Sequence, residues 1–556
     1  MKLRLNIFSL SAIIFIVIIF SSILIRFTSL SSLPVSLYWD EVSEGYNSYS
    51  ILQTGKDEYG TSFPILFRGY DDQKMPVYIY LSVIPIFLFG LGEFSVRFLS
   101  ALSGVGSVVV CYFLVKELFK KEKLSNFVGL VSAFTFSIVP WSVQLSRAGF
   151  EANLALFFVM LGSLFIFKSR DKKWFLLAAA LAFVVSIYTY RSSLIVVPPL
   201  FFLSLFFLRR SIVKTARYKF TGFVLLLFAI LSLPLIFTFL KAGDSRSSEV
   251  SIFTSENPKI KENILKQEST GNIFISKLVY NRRIVYAEEA LGNYVSHFSP
   301  NFLFLNGDVN PRHSLGNIGQ LYLWQFPFII IGLIYLLKKF RTQSYFLSTW
   351  LLLSPIPASF SLPSPHALRS LLMLPPLIIF SSVGLYVAYQ LCRGKIKLAF
   401  SIMMIVVVLG SALIYAKSYV RHNSFEASSD WGDGYKELID TIKPQLNDYD
   451  KIIISGHFWQ PYMYTLFYTH YDPKLYQGSG SQTGFGKFIF GGTEWDLRLH
   501  RQGLEQVDLE KLAGSKNTLV ALSPEEYQAQ EQNIKKINQI KNHKGEIVFI
   551  VGSLRE

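Results

Sequence analysis

One apolar run stands near the N-terminus, Ile7-Phe-Ser-Leu-Ser-Ala-Ile-Ile-Phe-Ile-Val-Ile-Ile-Phe-Ser-Ser-Ile-Leu-Ile-Arg26-Phe27, and Arg26 is its only charged residue. A helix of this length crosses the roughly 30 Å of hydrocarbon in a bilayer. The run is too long for the hydrophobic region of a typical signal peptide, and it lacks an A-x-A cleavage pattern. We therefore expect an uncleaved first membrane span.

The composition extends this expectation to the rest of the chain. Of its 556 residues, 51% are hydrophobic and only 17% are charged, whereas soluble proteins average about 25% charged residues. This balance indicates a polytopic membrane protein and excludes a soluble enzyme. The two cysteines, Cys111 and Cys392, lie in or beside apolar runs, so neither a disulfide framework nor a cysteine-based metal site is expected.

Basic clusters between the apolar segments predict the orientation in the membrane. The net charge of +16 is explained by the enrichment of basic residues in cytoplasmic loops. The charge therefore does not indicate nucleic-acid binding. The five clusters, at 116–123, 168–173, 209–219, 338–341 and 393–397, all reach the cytoplasm only if the short segment 76–92 lies at the interface without crossing. We therefore predict a multi-pass plasma-membrane protein with a cytoplasmic N-terminus, an extracytoplasmic C-terminal domain and eleven spans. They are 7–27, 98–116, 124–145, 153–167, 174–190, 193–208, 220–240, 321–337, 343–360, 368–391 and 398–416.

The predicted architecture has two domains. Residues 1–416 form an α-helical membrane domain with a first outer loop at 28–97, which carries juxtamembrane helices, and a large outer loop at 241–320. The polar remainder, residues 417–556, contains no further span. It forms a small soluble domain on the outer side.

Two short apolar patterns in this C-terminal domain predict buried strands. They are Lys451-Ile-Ile-Ile-Ser-Gly and Thr518-Leu-Val-Ala-Leu-Ser. Helical patterns around 434–446 and 524–541 alternate with them. Such alternation is typical of an α/β domain.

The first outer loop carries two adjacent carboxylates in Leu37-Tyr38-Trp39-Asp40-Glu41. They follow closely after the first span, so they lie near the outer membrane surface. Asp40 can act as the N-cap of a helix, with Glu41 stabilised by the dipole of its first turn. A carboxylate there can also act as a general base for a substrate hydroxyl. The two interpretations are compatible.

The same loop continues through Gly69-Tyr70-Asp71-Asp72-Gln73-Lys74-Met75-Pro76. Lys74, held near a proline at the start of a juxtamembrane helix, can bind a lipid phosphate as a point charge. Ordinary snorkelling at the interface is the alternative explanation. Asp71 and Asp72 are either cation ligands or solvated turn residues.

These motifs, taken in order, resemble those of family-39-type glycosyltransferases. That group includes protein O-mannosyltransferases and bacterial lipid A aminoarabinose transferases, and it has the C-type glycosyltransferase membrane fold. The resemblance covers about residues 1–400. Its motifs are Trp39-Asp40-Glu41, Lys74-Met75-Pro76, Gly92 to Leu102, Ser146 to Asn153, and Pro365-His366-Ala367-Leu368-Arg369 before Leu374-Pro375-Pro376. One departure is Gln73-Lys74-Met75-Pro76, where the aminoarabinose branch has Glu-Lys-Pro-Pro, so that Asp72 would stand in for the glutamate.

The resemblance implies that a sugar moves, with inversion, from a polyprenyl-phosphate carrier to an acceptor hydroxyl on the outer face. Because the leaving phosphate is a weak base, the reaction requires no strong general acid. It needs a base at the acceptor oxygen and cations at the departing phosphate. Asp40, with Glu41 beside it, is the expected base. The candidates for the donor phosphate are Lys74, Arg97, Arg147, Arg191 and Arg312. The candidates for sugar or acceptor are Asp72, Glu151, Tyr190, His313, His366 and Arg369, each with a structural alternative as a helix-end charge, an interfacial aromatic or a structural histidine.

The expected partners are the polyprenyl-phosphate sugar donor, membrane lipids and an acceptor that is a protein, a lipid or a glycan. Asp40, Asp71, Asp72 and Glu151 are possible oxygen ligands for a divalent cation, as in oligosaccharyltransferases of the same broad fold. The resemblance to family-39-type enzymes implies no catalytic metal, so we expect no cofactor. A transporter or flippase of lipid-linked sugars and an outer-face scaffold are the alternatives. Transporters place ionisable residues near mid-membrane, whereas these spans are nearly free of charge.

Overall fold

A computed structural model describes residues 7–70, 72–120, 122–214, 217–242, 251–253, 281–458, 460–491, 509–514 and 517–554. The chain divides into two compact units. The helical unit comprises Met1–Thr28, Ser100–Ser146 and Phe150–Ser418, and the mixed unit comprises Ser29–Leu99, Arg147–Gly149 and Tyr419–Glu556. This division differs from a single boundary after residue 416, because the first outer loop groups with the C-terminal residues.

The helical unit consists of long apolar helices with buried small and aromatic residues between them. Large apolar side chains such as Phe20 and Ile402 are nevertheless more than half exposed, at 60% and 54%. Helices that are apolar on both their packed and exposed faces suit a hydrocarbon surrounding. The helices wholly or mostly in this unit are Ile7–Phe27, Glu93–Leu118, Ser125–Ile138, Pro140–Ser146, Glu151–Lys168, Trp174–Ile187, Arg191–Lys214, Tyr218–Ala242, Arg282–Ser296, Gln325–Lys339, Arg341–Leu353, Ile356–Ser359, Leu374–Leu391 and Gly394–Arg421.

All eleven predicted spans are helical, but they differ in length. Among the described residues, seven helices are long and apolar enough to cross a membrane. Ser125–Ile138 and Pro140–Ser146 meet at 53° and make an eighth if they form one broken span. Pro140 explains the break, because proline cannot donate a helical hydrogen bond. Trp174–Ile187 is among the shorter apolar helices, so the number of eleven crossings stays a prediction.

The first outer loop forms the N-terminal part of the mixed unit. It contains the helix Trp39–Thr54, a hairpin and the helix Pro76–Phe89. The hairpin pairs strand β1 (Phe67–Gly69) antiparallel with strand β2 (Asp72–Lys74). Pro76–Phe89 is a short apolar helix, and its position at the membrane interface stays a prediction.

The C-terminal part of the mixed unit is a six-stranded sheet with helices. The central strands β3 (Lys451–Ile454), β5 (Phe488–Phe490) and β6 (Thr518–Leu522) are parallel, and both predicted strand patterns are among them. The sheet order is β4-β5-β3-β6-β8-β7, with β4 (Gly484–Phe485), β7 (Ile534–Lys541) and β8 (Ile547–Leu554) added antiparallel. The helices are Tyr435–Ile442, Pro461–Thr469, Pro473–Ser479, Leu509–Ala513 and Pro524–Gln530.

The prediction of a helix over 524–541 is wrong in its second half. The helix ends at Gln530, and residues 534–541 form β7. This strand pairs along its length with β8, and Ile534 and Ile540 are buried. The sheet partner, which lies later in the chain, overrides the local helical preference.

One apolar core joins the two parts of the mixed unit. Leu37 and Tyr46 of the first loop are fully buried in the same cluster as Leu438 and Phe467 of the C-terminal part. The hydroxyl of Tyr464 also donates a hydrogen bond of 2.9 Å to the carbonyl oxygen of Leu37. The C-terminal residues therefore support the loop that carries the two carboxylates.

Candidate active site

The helix Trp39–Thr54 presents Asp40 in its first turn. The residue before the helix is Tyr38, whose backbone N–H donates to Oε2 of Glu41 at 3.2 Å. Glu41 therefore caps the helix end, and the prediction that Asp40 is the N-cap is wrong. The Asp40 side chain is 15% exposed and is directed to another partner.

That partner is Lys74, whose ammonium group forms an ion pair with Oδ1 of Asp40. Lys74 is the last residue of β2 and pairs in register with Phe67 of β1, so the hairpin fixes its position. Its side chain is only 7% exposed. The structure thus brings together the two residues that sequence analysis placed at the centre of the chemistry.

Gly69 makes room for this lysine. A Cβ atom at position 69 would lie 2.8 Å from Cε of Lys74 and 2.7 Å from Oγ of Ser43. Real Cβ atoms do not approach so closely, so a larger residue would displace the lysine side chain. Sequence analysis did not single out Gly69, although it begins the segment that contains Lys74.

Tyr70 was also missed, and it closes one side of the ion pair. It adopts a positive φ of 58°, which turns its side chain back toward the helix start. Its hydroxyl donates to the carbonyl oxygen of Trp39, and the Nζ atom of Lys74 lies 5.9 Å from its ring centre. Burial raises the pKa of Tyr70 well above its ordinary value, so its hydroxyl stays protonated. Asp71 and the side chain of Asp72 lie outside the described residues.

Glu41 points away from Asp40, into a fully buried site. Its Oε1 atom accepts hydrogen bonds from Nε of Arg97 at 2.9 Å and from the backbone N–H of Gly149 at 2.7 Å. Its side chain and that of Arg97 are both 0% exposed. Glu41 therefore ties three segments of the mixed unit together, and the prediction that it shares the base role with Asp40 does not fit this geometry.

Arg97 does not fit its predicted role at the donor phosphate. Besides Glu41, its guanidinium donates to the backbone carbonyls of Leu30 at 3.1 Å, Pro34 at 2.8 Å and Ser36. These contacts occupy its N–H groups on every side. Arg97 is a structural cation that holds the chain entering the first loop.

Arg147 belongs to the same unit and is almost fully buried. Its Nε atom donates to the hydroxyl of Tyr419 at 3.2 Å, and its Nη2 atom donates to the carbonyl oxygen of Leu33 at 3.1 Å. These contacts place it beside the entry of the first loop. A role for Arg147 at the donor phosphate stays a prediction.

Three predicted residues stand at the start of helices in the helical unit. Glu151 is the first residue of Glu151–Lys168, Arg191 is the first residue of Arg191–Lys214, and Tyr190 directly precedes it. All three are partly buried. Their roles toward sugar or phosphate stay predictions.

The remaining candidates of the helical unit gather around Asp308, which sequence analysis missed. Nδ1 of His313 lies 3.1 Å from Oδ2 of Asp308, and Nδ1 of His366 lies 3.9 Å from the same oxygen. Arg312 neighbours His313 in the chain, and its carbonyl oxygen accepts a hydrogen bond from Gln144. The only signal in the sequence was an aspartate five residues before a histidine in a loop.

Arg369 is turned toward its own loop. Its Nη1 atom donates to Oγ of Ser361 at 2.8 Å and to the carbonyl oxygen of Leu362 at 3.1 Å. The structure thus brings His313 and His366 together, and the backbone N–H of Arg369 donates to Nδ1 of His366 at 3.4 Å. A role for these residues in binding sugar or acceptor stays a prediction.

The comparisons with known proteins agree with this fold. Residues 73–237 match the family described as dolichyl-phosphate-mannose-protein mannosyltransferase. The structure is similar to ArnT from Cupriavidus metallidurans bound to undecaprenyl phosphate, at 12% identity and a TM-score of 0.55, covering 96% of this chain and 97% of that one. It is also similar to the apo oligosaccharyltransferase of Archaeoglobus fulgidus, at 14% identity and a TM-score of 0.53, covering 92% and 69%.

Two curated proteins are related over shorter stretches. An uncharacterized protein of Aquifex aeolicus (strain VF5) is 29% identical over 157 residues, which are 28% of this chain and 33% of that protein. The putative mannosyltransferase YkcB of Bacillus subtilis (strain 168) is 31% identical over 114 residues, 20% of this chain and 15% of YkcB. The chain thus spans a third or less of the curated relatives it matches. Together with the fold, these matches confirm the resemblance to family-39-type membrane glycosyltransferases, and the chain is a membrane protein of the C-type glycosyltransferase fold.

Proposed function

We propose that this chain is an inverting glycosyltransferase that moves a sugar from a polyprenyl-phosphate-linked donor to an acceptor hydroxyl on the outer face of the cell membrane. The observation that carries the proposal is the ion pair between Asp40 and Lys74. It sets a carboxylate beside an ammonium group in a loop that folds against the C-terminal residues. A base and a phosphate-binding cation are the two groups that this reaction needs.

The carrier class is supported by the solved relatives. ArnT was crystallised with undecaprenyl phosphate, and the archaeal oligosaccharyltransferase AglB from Archaeoglobus fulgidus was solved with an inhibitory peptide and a dolichol-phosphate. Both ligands are isoprenoid phosphates. The isoprenoid chain of such a lipid would lie against the seven long apolar helices of the described residues.

In the proposed reaction, the donor phosphate replaces Asp40 as the partner of Lys74. Asp40 then accepts the proton of the acceptor hydroxyl while the acceptor oxygen bonds to the anomeric carbon from the face opposite the phosphate. The bond between the anomeric carbon and the phosphate oxygen breaks, and Lys74 stabilises the departing phosphate. A positioned general base typically contributes about 10²- to 10⁴-fold to a rate.

The ion pair also explains how both groups stay charged before substrate arrives. Burying a lone ammonium group, as on a lysine that is 7% exposed, costs desolvation free energy. The Asp40 carboxylate offsets that cost by its opposite charge. Tyr70 shields the pair on one side without competing for the proton, because its own hydroxyl already donates to Trp39. The pair is thus the arrangement of the substrate-free protein, and a donor phosphate can displace Asp40 from Lys74.

Glu41 and Arg97 are positioning residues in this proposal. Their buried ion pair and the hydrogen bond from Gly149 fix the start of the helix that carries Asp40. The transfer needs no metal, since Lys74 supplies the positive charge at the phosphate. A metal-dependent reaction, as in an oligosaccharyltransferase, predicts instead that chelators stop transfer.

The test is product analysis with the purified, full-length protein in lipid nanodiscs. The protein is incubated with a panel of polyprenyl-phosphate-linked sugars, with and without membrane extract as the acceptor source, and donor consumption is followed by mass spectrometry. We expect one donor to be consumed with release of the polyprenyl phosphate, in the presence and absence of EDTA. A flippase would leave every donor chemically intact and would contradict the proposal.

A further inference from the structure

Two loops of the helical unit meet at three buried ligand-type side chains. Asp308 and His313 lie in one loop, and His366 lies in the other. Within the described part of the chain, they are the one group of three His, Cys, Asp or Glu residues whose ligand atoms all lie within 4.8 Å of one another. Their side chains are 0%, 5% and 8% exposed.

The distances suit a small tetrahedral cation. Metal–ligand bonds of about 2.0–2.1 Å at tetrahedral angles place neighbouring ligand atoms about 3.4 Å apart. Oδ2 of Asp308 lies 3.1 Å from Nδ1 of His313 and 3.9 Å from Nδ1 of His366. The two imidazole rings lie 4.9 Å apart at an angle of 45°, so they do not stack face to face.

The backbone already orients the carboxylate. Oδ2 of Asp308 accepts the N–H of Ala367 at 2.6 Å, and Oδ1 accepts the N–H of Asn310 at 2.9 Å. Oδ1 keeps a second lone pair, and the second lone pair of Oδ2 faces Nδ1 of His313 at 3.1 Å, where a bound cation would replace the shared proton. Hydrogen bonds from backbone N–H groups hold metal-binding carboxylates in place.

A third nearby histidine has a different role. Nδ1 of His297 donates to the carbonyl oxygen of Asn293 at 2.7 Å, and its Nε2 accepts the backbone N–H of His366 at 3.1 Å. Both ring nitrogens are therefore in use at short distances, whereas Nδ1 of His366 accepts only a long hydrogen bond of 3.4 Å from the backbone N–H of Arg369, which a metal bond would replace. His297 fixes the loop that carries His366 and is not a ligand.

We propose that Asp308, His313 and His366 form a zinc site that joins the two loops, with water as the fourth ligand. Two imidazoles and one carboxylate are a ligand set that Zn²⁺ binds readily, whereas Mg²⁺ and Ca²⁺ require mostly oxygen ligands. Neutral imidazoles are the zinc-binding form.

The proposed role is structural. The cation would cross-link loops that are distant in the chain and would stabilise the folded state in proportion to its affinity. The site does not rest on the proposed transfer reaction. It would remain if that reaction proved different.

The test is zinc binding by the full-length protein, purified in detergent and stripped with EDTA. Zinc is titrated in competition with a chromophoric chelator, and bound metal is counted by elemental analysis after desalting. We expect one zinc per chain, a higher melting temperature with zinc, and neither effect from excess Mg²⁺ or Ca²⁺. Absence of a stoichiometric zinc, or equal binding of Mg²⁺, would overturn the proposal.

The variants locate the metal. His313→Ala and His366→Ala should each weaken zinc at least about 100-fold, because even changes behind the ligands typically cost about 10- to 100-fold. His313→Cys should retain it, since a thiolate is a good zinc ligand. His543→Ala is the matched control, because its Nδ1 contacts Asp433 at 2.9 Å and the described residues offer that pair no third ligand. Unchanged zinc affinity in both alanine variants would place the metal elsewhere.

Discussion

A double substitution at the ion pair separates catalysis from structure. Asp40→Asn removes the proposed base and leaves the ammonium of Lys74 without its counter-charge. Lys74→Met removes the phosphate-binding cation and with it the ion-pair partner of the Asp40 carboxylate. The combined variant, Asp40→Asn with Lys74→Met, removes both charges and leaves neither group uncompensated.

The magnitudes follow from the burial of the two side chains. Breaking a fully buried pair costs about 3–5 kcal/mol, and a buried group left unsatisfied costs about 1–3 kcal/mol. Asp40 is 15% exposed, so water can partly replace the lost partner. Each single variant should therefore lose about 1–3 kcal/mol of folding stability. The double variant should regain most of it, because replacing a whole pair is often nearly neutral.

The transfer rate of these variants should not follow their folding stability. Loss of the base should lower the rate of transfer by about 10²- to 10⁴-fold, which corresponds to about 3–5 kcal/mol in the activation barrier. The double variant should be at least as inactive as Asp40→Asn, because restored stability does not restore a base. Lys74→Met should mainly weaken donor binding.

The assay compares the melting temperature and the donor-consumption rate of all four proteins in nanodiscs. Asp472→Asn and Lys436→Met are matched controls in the same unit. Asp472 is exposed and caps a short helix, and Lys436, which is 48% exposed, forms an ion pair with Glu93 at 3.0 Å. If transfer recovered in the double variant together with stability, the pair would be structural and the proposed mechanism would be refuted.

Three further predictions follow from the geometry of the mixed unit. Gly69→Ala should displace the lysine of the ion pair and lower donor turnover about tenfold or more, at a stability cost of at most about 1–3 kcal/mol because it disturbs the same pair. Gly92→Ala, where an added Cβ would meet nothing within 4 Å, should leave turnover unchanged, and equal rates in the two variants would contradict the close approach at Gly69. Glu41→Gln should lower stability by about 3–5 kcal/mol because it leaves Arg97 charged and buried, and an unchanged melting temperature would show that this pair does not support the helix. A cysteine at the exposed position Ser429 should react with a membrane-impermeant maleimide in intact cells; reaction only after permeabilisation would reverse the predicted topology.

The sequence predicted the chemistry of the first loop better than its geometry. Trp39-Asp40-Glu41 and Lys74 were recognised as motifs, and the structure brings Asp40 and Lys74 together across 34 positions of the chain. The hairpin that achieves this was not predicted. Its strands have three residues each, which is too short for a period-two pattern to be distinguished from a loop.

The helical segments were predictable because their signal is local. A run of apolar residues defines each helix without reference to any partner, and all eleven segments are helical. β7 was mistaken for a helix because a strand depends on what it pairs with, and its partner β8 begins only after a further turn. The same distinction explains Asp308, whose histidine neighbours include one from a distant loop.

The two adjacent carboxylates show most clearly what a sequence leaves open. Consecutive residues on a helix point about 100° apart, so Asp40 and Glu41 had to face different surroundings, but nothing local specified which ones. Arg97 and the backbone N–H of Gly149 lie 56 and 108 positions from Glu41, and they bind it in a fully buried site. That buried arrangement commits Glu41 to holding the fold together, whereas Asp40, which is 15% exposed and paired with Lys74, is the carboxylate that we propose meets the substrate.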